Sequence, residues 1–167
     1  MNSVLIQNTI RFVLLLAIQI FIFNNINLSG YINPYPYILF ILLYPINANR
    51  NLLLLASFSI GIIMDMFMNT GGVHTTACIT LAYFRPTILK FTFGLSYEYQ
   101  TVKVAEKLSS ERFMFILMSI LLHHIILFTL EIFKIDSILD ILLRTIFSSI
   151  FTLIVSIIII YLIKPNK

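Results

Sequence analysis

Residues 61–79, GIIMDMFMNTGGVHTTACI, form two apolar runs joined by a short polar bend, NTGG at 69–72. Asp65 lies inside the first run and His74 opens the second. The bend is long enough to reverse the chain, with Gly71 and Gly72 free to take positive φ. Ser57, Gly61 and Asp65 recur every fourth residue before it, and His74, Cys78 and Ala82 do so after it. On a helix that spacing shares one face, and small residues on facing helices let backbones approach closely in lipid. The stretch therefore predicts an antiparallel helical hairpin. Asp65 falls one helical turn, ~5 Å, below the bend. From there its carboxylate can meet the orphan N–H groups that open the second helix, where the macrodipole also favours negative charge. His74 or Asn69 could complete that network. The other reading of the pair is a proton- or ligand-binding site, because ionisable groups within a membrane are functional candidates.

The solvent around the hairpin follows from composition. Of 167 residues, 59% are hydrophobic and 11% charged, and the mean hydropathy is +0.98. Soluble domains carry about 25% charged residues, and a chain this short could not hide so much apolar surface from water. The expected class is an all-α integral membrane protein. Barrels are disfavoured because the apolar runs are continuous instead of alternating. The first apolar stretch, FVLLLAIQIFIF, lacks a small-x-small cleavage pattern and is expected to stay as an anchor. The single Cys78 allows no internal disulfide framework and no cysteine metal cluster.

A helix crosses the hydrocarbon core with about 20 apolar residues. On that measure spans lie near 4–23, 35–48, 52–68, 73–90, 113–133 and 139–163, a compact bundle of about six forming one transmembrane domain over 1–167. The second is short, begins at Pro36 and carries Pro45, so it could be a half-span; the two termini would then lie on opposite sides. With six crossings, one side collects Arg11, Arg50, Arg85, Lys90, Lys103, Lys107, Arg112, Lys164 and Lys167, and the other only Lys134 and Arg144. The positive-inside rule makes the first side, with both termini, cytoplasmic. Tyr31, Tyr35 and Tyr37 then fall at the outer boundary as part of an aromatic belt, with Tyr44, Tyr83, Tyr97, Tyr99 and Tyr161 near the inner one. In the stretch 91–112, Tyr97, Thr101, Val104 and Leu108 share a helical side. It reads as an amphipathic helix on the cytoplasmic interface or as a solvated connector, with Ser109 or Ser110 capping the next span.

The remaining polar groups have structural readings. His123 and His124 fall midway along the fifth span, where neutral imidazoles hydrogen-bonded across helices are expected. Glu131 is seven residues from His124, roughly 10 Å along the axis, too far to touch. A proton relay would need further polar groups, which the sequence does not display. Asp140 and Arg144 have the spacing of a local ion pair. Arg144, Ser148, Thr152 and Ser156 continue one small polar stripe, expected as a packing face. Arg11 should snorkel to the inner interface, and Pro86 after Arg85 marks a kink or an early helix end. No Ser/His/Asp, Cys/His or paired-carboxylate arrangement shares a face, and no phosphate loop or metal motif is present. Neither an enzyme, nor a cofactor, nor a metal site is expected. No basic stripe interleaved with aromatics points to nucleic acid.

The chain resembles the rod-shape-determining MreD family over nearly its whole length. GIIMDMFMNTGGVHTTACITLAYFRP carries the family's pattern of a Gly, an Asp four residues on, a glycine bend, a His soon after and an apolar helix. Gly61, Asp65, Gly72 and His74 occupy those positions. INPYPYILFILLYP resembles the family's Pro-led second span, and YFRP is similar to versions from Bacteroidota-type bacteria. The resemblance implies a non-enzymatic, multi-pass scaffold of the bacterial inner membrane. Such a protein binds an MreC-like partner and links MreB filaments to peptidoglycan synthases, keeping cells rod-shaped. It also implies a fold similar to the substrate-binding subunits of energy-coupling-factor vitamin transporters, which supply the alternative function. Those subunits show Ala-x-x-x-Ala in the first span; here Ala17 is flanked at four residues by Val13 and Phe21. The interaction candidates are Gly61, Asp65, Gly71, Gly72, His74, Arg85 and Pro86.

Overall fold

The computed structural model describes residues 2–26, 32–94 and 109–163. Six α-helices lie among them: α1 (Asn2–Phe21), α2 (Leu39–Leu43), α3 (Arg50–Met68), α4 (Val73–Phe93), α5 (Ser110–Ile132) and α6 (Ile138–Ile163). Four regions, Ile6–Asn25 and the whole of α3, α5 and α6, are long and apolar enough to cross a membrane. The protein is an all-α, multi-pass membrane bundle. The α4 helix is less apolar because it touches less lipid: it is the middle of the bundle, packed against α3 on one side and α5 on the other. It runs through Pro86 to Phe93 without ending there. The amphipathic segment expected around 91–112 falls largely on 95–108, outside the described residues; its last residue before α5, Ser109, caps that helix by accepting the Arg112 N–H at 3.4 Å.

The hairpin of α3 and α4 forms as its small residues require. Ser57, Gly61 and Asp65 are buried on α3, and His74, Cys78 and Ala82 on α4. At Gly61 the helices meet backbone to backbone. A Cβ there would stand 2.3 Å from Thr75 Cα and 2.7 Å from Thr75 N. The reversal itself uses three left-handed residues in a row of four, Asn69 (φ 55°), Gly71 (φ 59°) and Gly72 (φ 103°).

The second crossing is where the expectation of a helical span fails. Residues 35–48 hold a 3-10 turn, Pro36–Ile38, and the five-residue α2. Five helical residues rise only ~7.5 Å, far short of a ~30 Å core. The chain nevertheless returns alongside α1, because the 3-10 turn and α2 follow each other without a break. Gln19 of α1 bonds Pro34 and Tyr37, and Arg11, two turns nearer the start of α1, bonds Leu43. The segment therefore runs antiparallel to α1 and delivers the chain to α3 at the end where Arg11, Arg50 and Arg85 gather. The segment thus joins α1 to α3 through the interior of the bundle. The broken pass is the core. Tyr37, Ile38, Leu39 and Ile41 are 0% exposed. Tyr35 and Tyr37 are thus interior residues and do not join a boundary belt, since the segment carrying them is threaded between helices.

Gly61→Ala should destabilise the bundle by about 1–3 kcal/mol, the usual penalty for overpacking, because the added methyl meets backbone that cannot rotate away. Unfolding by detergent titration measures it; wild-type stability would contradict the close approach.

Candidate functional site

A non-helical backbone inside a bilayer must find its hydrogen bonds within the protein. The broken pass finds them in side chains of three helices. Gln19 Nε2 donates to Pro34 O at 3.2 Å, while Gln19 Oε1 accepts the Tyr37 N–H at 3.4 Å. Thr152 Oγ1 of α6 accepts the Tyr35 N–H at 3.0 Å. Where α2 ends, its orphan carbonyls meet two guanidinium groups. Arg85 of α4 donates to Leu42 O at 3.1 Å and to Tyr44 O. Arg11 donates to Leu43 O at 3.1 Å. A helix C-terminus carries partial negative charge, so a cation is the fitting cap. Arg11 is half-buried, and Arg85 is only 4% exposed.

Around the start of this pass the aromatic and imidazole rings converge. Tyr37 Oη lies 2.8 Å from His74 Nδ1 and 2.9 Å from His123 Nε2. A phenol holds one proton, so Tyr37 donates to one ring and accepts an N–H from the other. Helices α4 and α5 and the broken pass are pinned together at that oxygen. His124 has one assignment. Its Nδ1 faces Ile120 O at 2.8 Å, and a carbonyl only accepts, so Nδ1 carries the proton. Its Nε2 then accepts from the Thr152 hydroxyl at 3.1 Å. Tyr35 N–H, Thr152 and neutral His124 form one closed chain. The Tyr35 ring sits between His74 and His124, 5.5 Å from each.

The Asp65 carboxylate faces the start of α4. Its Oδ1 accepts from His74 N at 2.9 Å and Thr70 Oγ1 at 2.5 Å. Its Oδ2 accepts from Thr75 N at 3.0 Å and Thr75 Oγ1 at 2.5 Å. Thr70 and Thr75 complete the network. The His74 imidazole turns away to Tyr37, so Asp65 and the His74 ring do not form a couple. Gly71 and Gly72 shape the bend; Gly61 sets the helix spacing; Pro86 lies one residue past the Arg85 cap. Across the bundle, Arg144 reaches Glu131 of α5 at 3.6 Å, an interhelical pair that the i,i+4 spacing with Asp140 did not suggest. Thr145, Ser148, Thr152 and Ser156 are buried along α6.

Chemically these groups fasten helices. Cys78 is a buried free thiol, 4.0 Å from His123 Nε2. Among the described residues no three His, Cys, Asp or Glu side chains are grouped to hold a metal ion. The residues that sequence reasoning missed are Tyr37, Gln19 and Arg11, with Arg85 noted but not its role. One signal was present: a 14-residue run framed by prolines is too short to cross as a helix, so its backbone had to be served by its neighbours. No protein-family model, curated protein or solved structure matches this chain.

Asp65→Asn keeps one acceptor oxygen but sets an amide NH2 against Thr75 N–H, and should cost about 1–3 kcal/mol. Asp65→Leu orphans both backbone N–H groups and should cost more. Thermal unfolding of the two variants checks the order; equal stability of wild type and both variants would rule out the capping role.

Proposed function

We propose that the protein is a non-enzymatic scaffold of the bacterial inner membrane that acts in cell elongation, as the resemblance to the MreD family implies. Its membrane-embedded helices bind an MreC-like protein, and through it connect MreB filaments to the enzymes that extend peptidoglycan. Both termini and the arginine-rich end face the cytoplasm, following the positive-inside rule.

One observation carries the reading. The centre of the bundle, where a carrier keeps its solute, is filled by the protein's own broken pass, with Tyr37, Leu39 and Ile41 at 0% exposure. The buried ionisable groups Asp65, His74, Arg85, His123 and His124 each bond another side chain or backbone. What remains available is outer helix surface. On α6 alone Leu139, Leu143, Ile146, Ile150, Ile154 and Ile158 are exposed. In a membrane that face can pack on lipid or on a partner's helix without any soluble domain.

Depletion in a rod-shaped host should give round, swollen cells, and an MreC-like protein should co-purify from native membranes. Unchanged cell shape, or tight vitamin binding and uptake in liposomes, would overturn the proposal in favour of the carrier.

A further inference from the structure

We propose that the arginine-rich end holds a binding site for the phosphate of an anionic lipid headgroup, built from Arg50, Arg85 and the first turn of α3. A cavity of about 210 Å³ opens there between the 44–48 turn, α3 and α4. Arg50 and Arg85 both line it, and none of its described lining residues is acidic. Helix starts ordinarily favour acids, because the N-terminal end of the macrodipole is positive. The first turn of α3 has no acid and carries Arg50 instead. Two guanidinium groups and a helix N-terminus around one cavity make a strongly electropositive spot, which an anion neutralises.

Arg50 is held ready for that anion. Its Nη2 donates to Tyr83 O at 3.2 Å, and its Cζ lies 5.1 Å from the centroid of the Tyr83 ring. The guanidinium plane is thereby fixed at the rim, and a fixed planar fork suits the oxygens of a phosphate. Arg85, deeper in, is the cap of α2. An occupant of the cavity therefore sits against the arginine that seals the broken pass.

The surroundings favour a lipid over a soluble phosphate. Leu53 and Leu89 line the cavity. Beside it Leu52 and Leu55 on α3, and Tyr83 and Phe84 on α4, are exposed. A headgroup in the cavity leaves its acyl chains free to run along that apolar surface. Basic pockets between transmembrane helices recognise anionic headgroups in this way. The proposal does not depend on a role in cell elongation, since it is read on the purified protein.

The test uses the full chain in nanodiscs of equimolar phosphatidylglycerol and phosphatidylcholine, with lipids retained after detergent extraction counted by native mass spectrometry. Wild type should retain phosphatidylglycerol preferentially. Arg50→Ala, which removes an exposed side chain bonded to the Tyr83 carbonyl and stacked on its ring, should cut that preference about fivefold. Arg144→Ala at the opposite end should leave it unchanged, and size-exclusion profiles should match for all three. Equal retention of the two lipids by wild type, or an undiminished preference in Arg50→Ala, would overturn the proposal. Inorganic phosphate at millimolar concentration should not displace the lipid; complete displacement would assign the site to a soluble anion and overturn the lipid assignment.

Discussion

Hydrocarbon offers nothing to an unpaired peptide group, and each one left bare there costs several kcal/mol. The path of residues 34–44 creates that problem, because the chain crosses the bundle without enough helix to pair its own backbone. The solution is distributed. Gln19 serves Pro34 and Tyr37, Thr152 serves Tyr35, Arg85 serves Leu42 and Tyr44, and Arg11 serves Leu43. Three helices are thereby bound to one segment through directional bonds, in a solvent where apolar side chains give little preference for one helix neighbour over another. The broken pass acts as a spine on which the other passes are registered.

The rest of the polar interior extends that spine. Tyr37 ties it to His74 and His123, and Thr152 passes the connection on to His124. Asp65 fixes the start of α4 and so the height of His74. Asp65, His74, His123 and His124 each have a bonding partner, and Tyr37, Leu39 and Ile41 are fully buried in the interior. In the proposed reading, function is then a matter of outer surfaces: helix faces for a partner within the membrane, and the arginine-rich end for a lipid headgroup.

How much of this was legible in the sequence follows from how local each signal is. The hairpin was legible because its instructions lie within 30 residues. A glycine bend, an Asp one turn away and small residues at spacing four leave little choice of packing, and Gly61 meets Thr75 as that spacing demands. The bundle class was legible from composition alone. The centre was not. Tyr37 and His123 are 86 residues apart, and Tyr35 and Thr152 are 117 apart; no periodicity links them. Tyr35 and Tyr37 look like belt residues until the broken pass is known to run inside. The capping role of Arg11 and Arg85 was hidden for the same reason, since nothing local shows that the carbonyls of Leu42, Leu43 and Tyr44 need donors. Arg144 also reaches Glu131 across the interface, a contact set by the register of two helices.

Amide hydrogen exchange across residues 34–44, in wild type and in Arg85→Ala, addresses the central claim most directly. Buried, satisfied amides exchange only through opening of the structure. Wild type should show protection in this segment equal to the middle of α4 and α5, and Arg85→Ala should lose it there first. Exchange at loop rates in the wild-type segment would contradict the account.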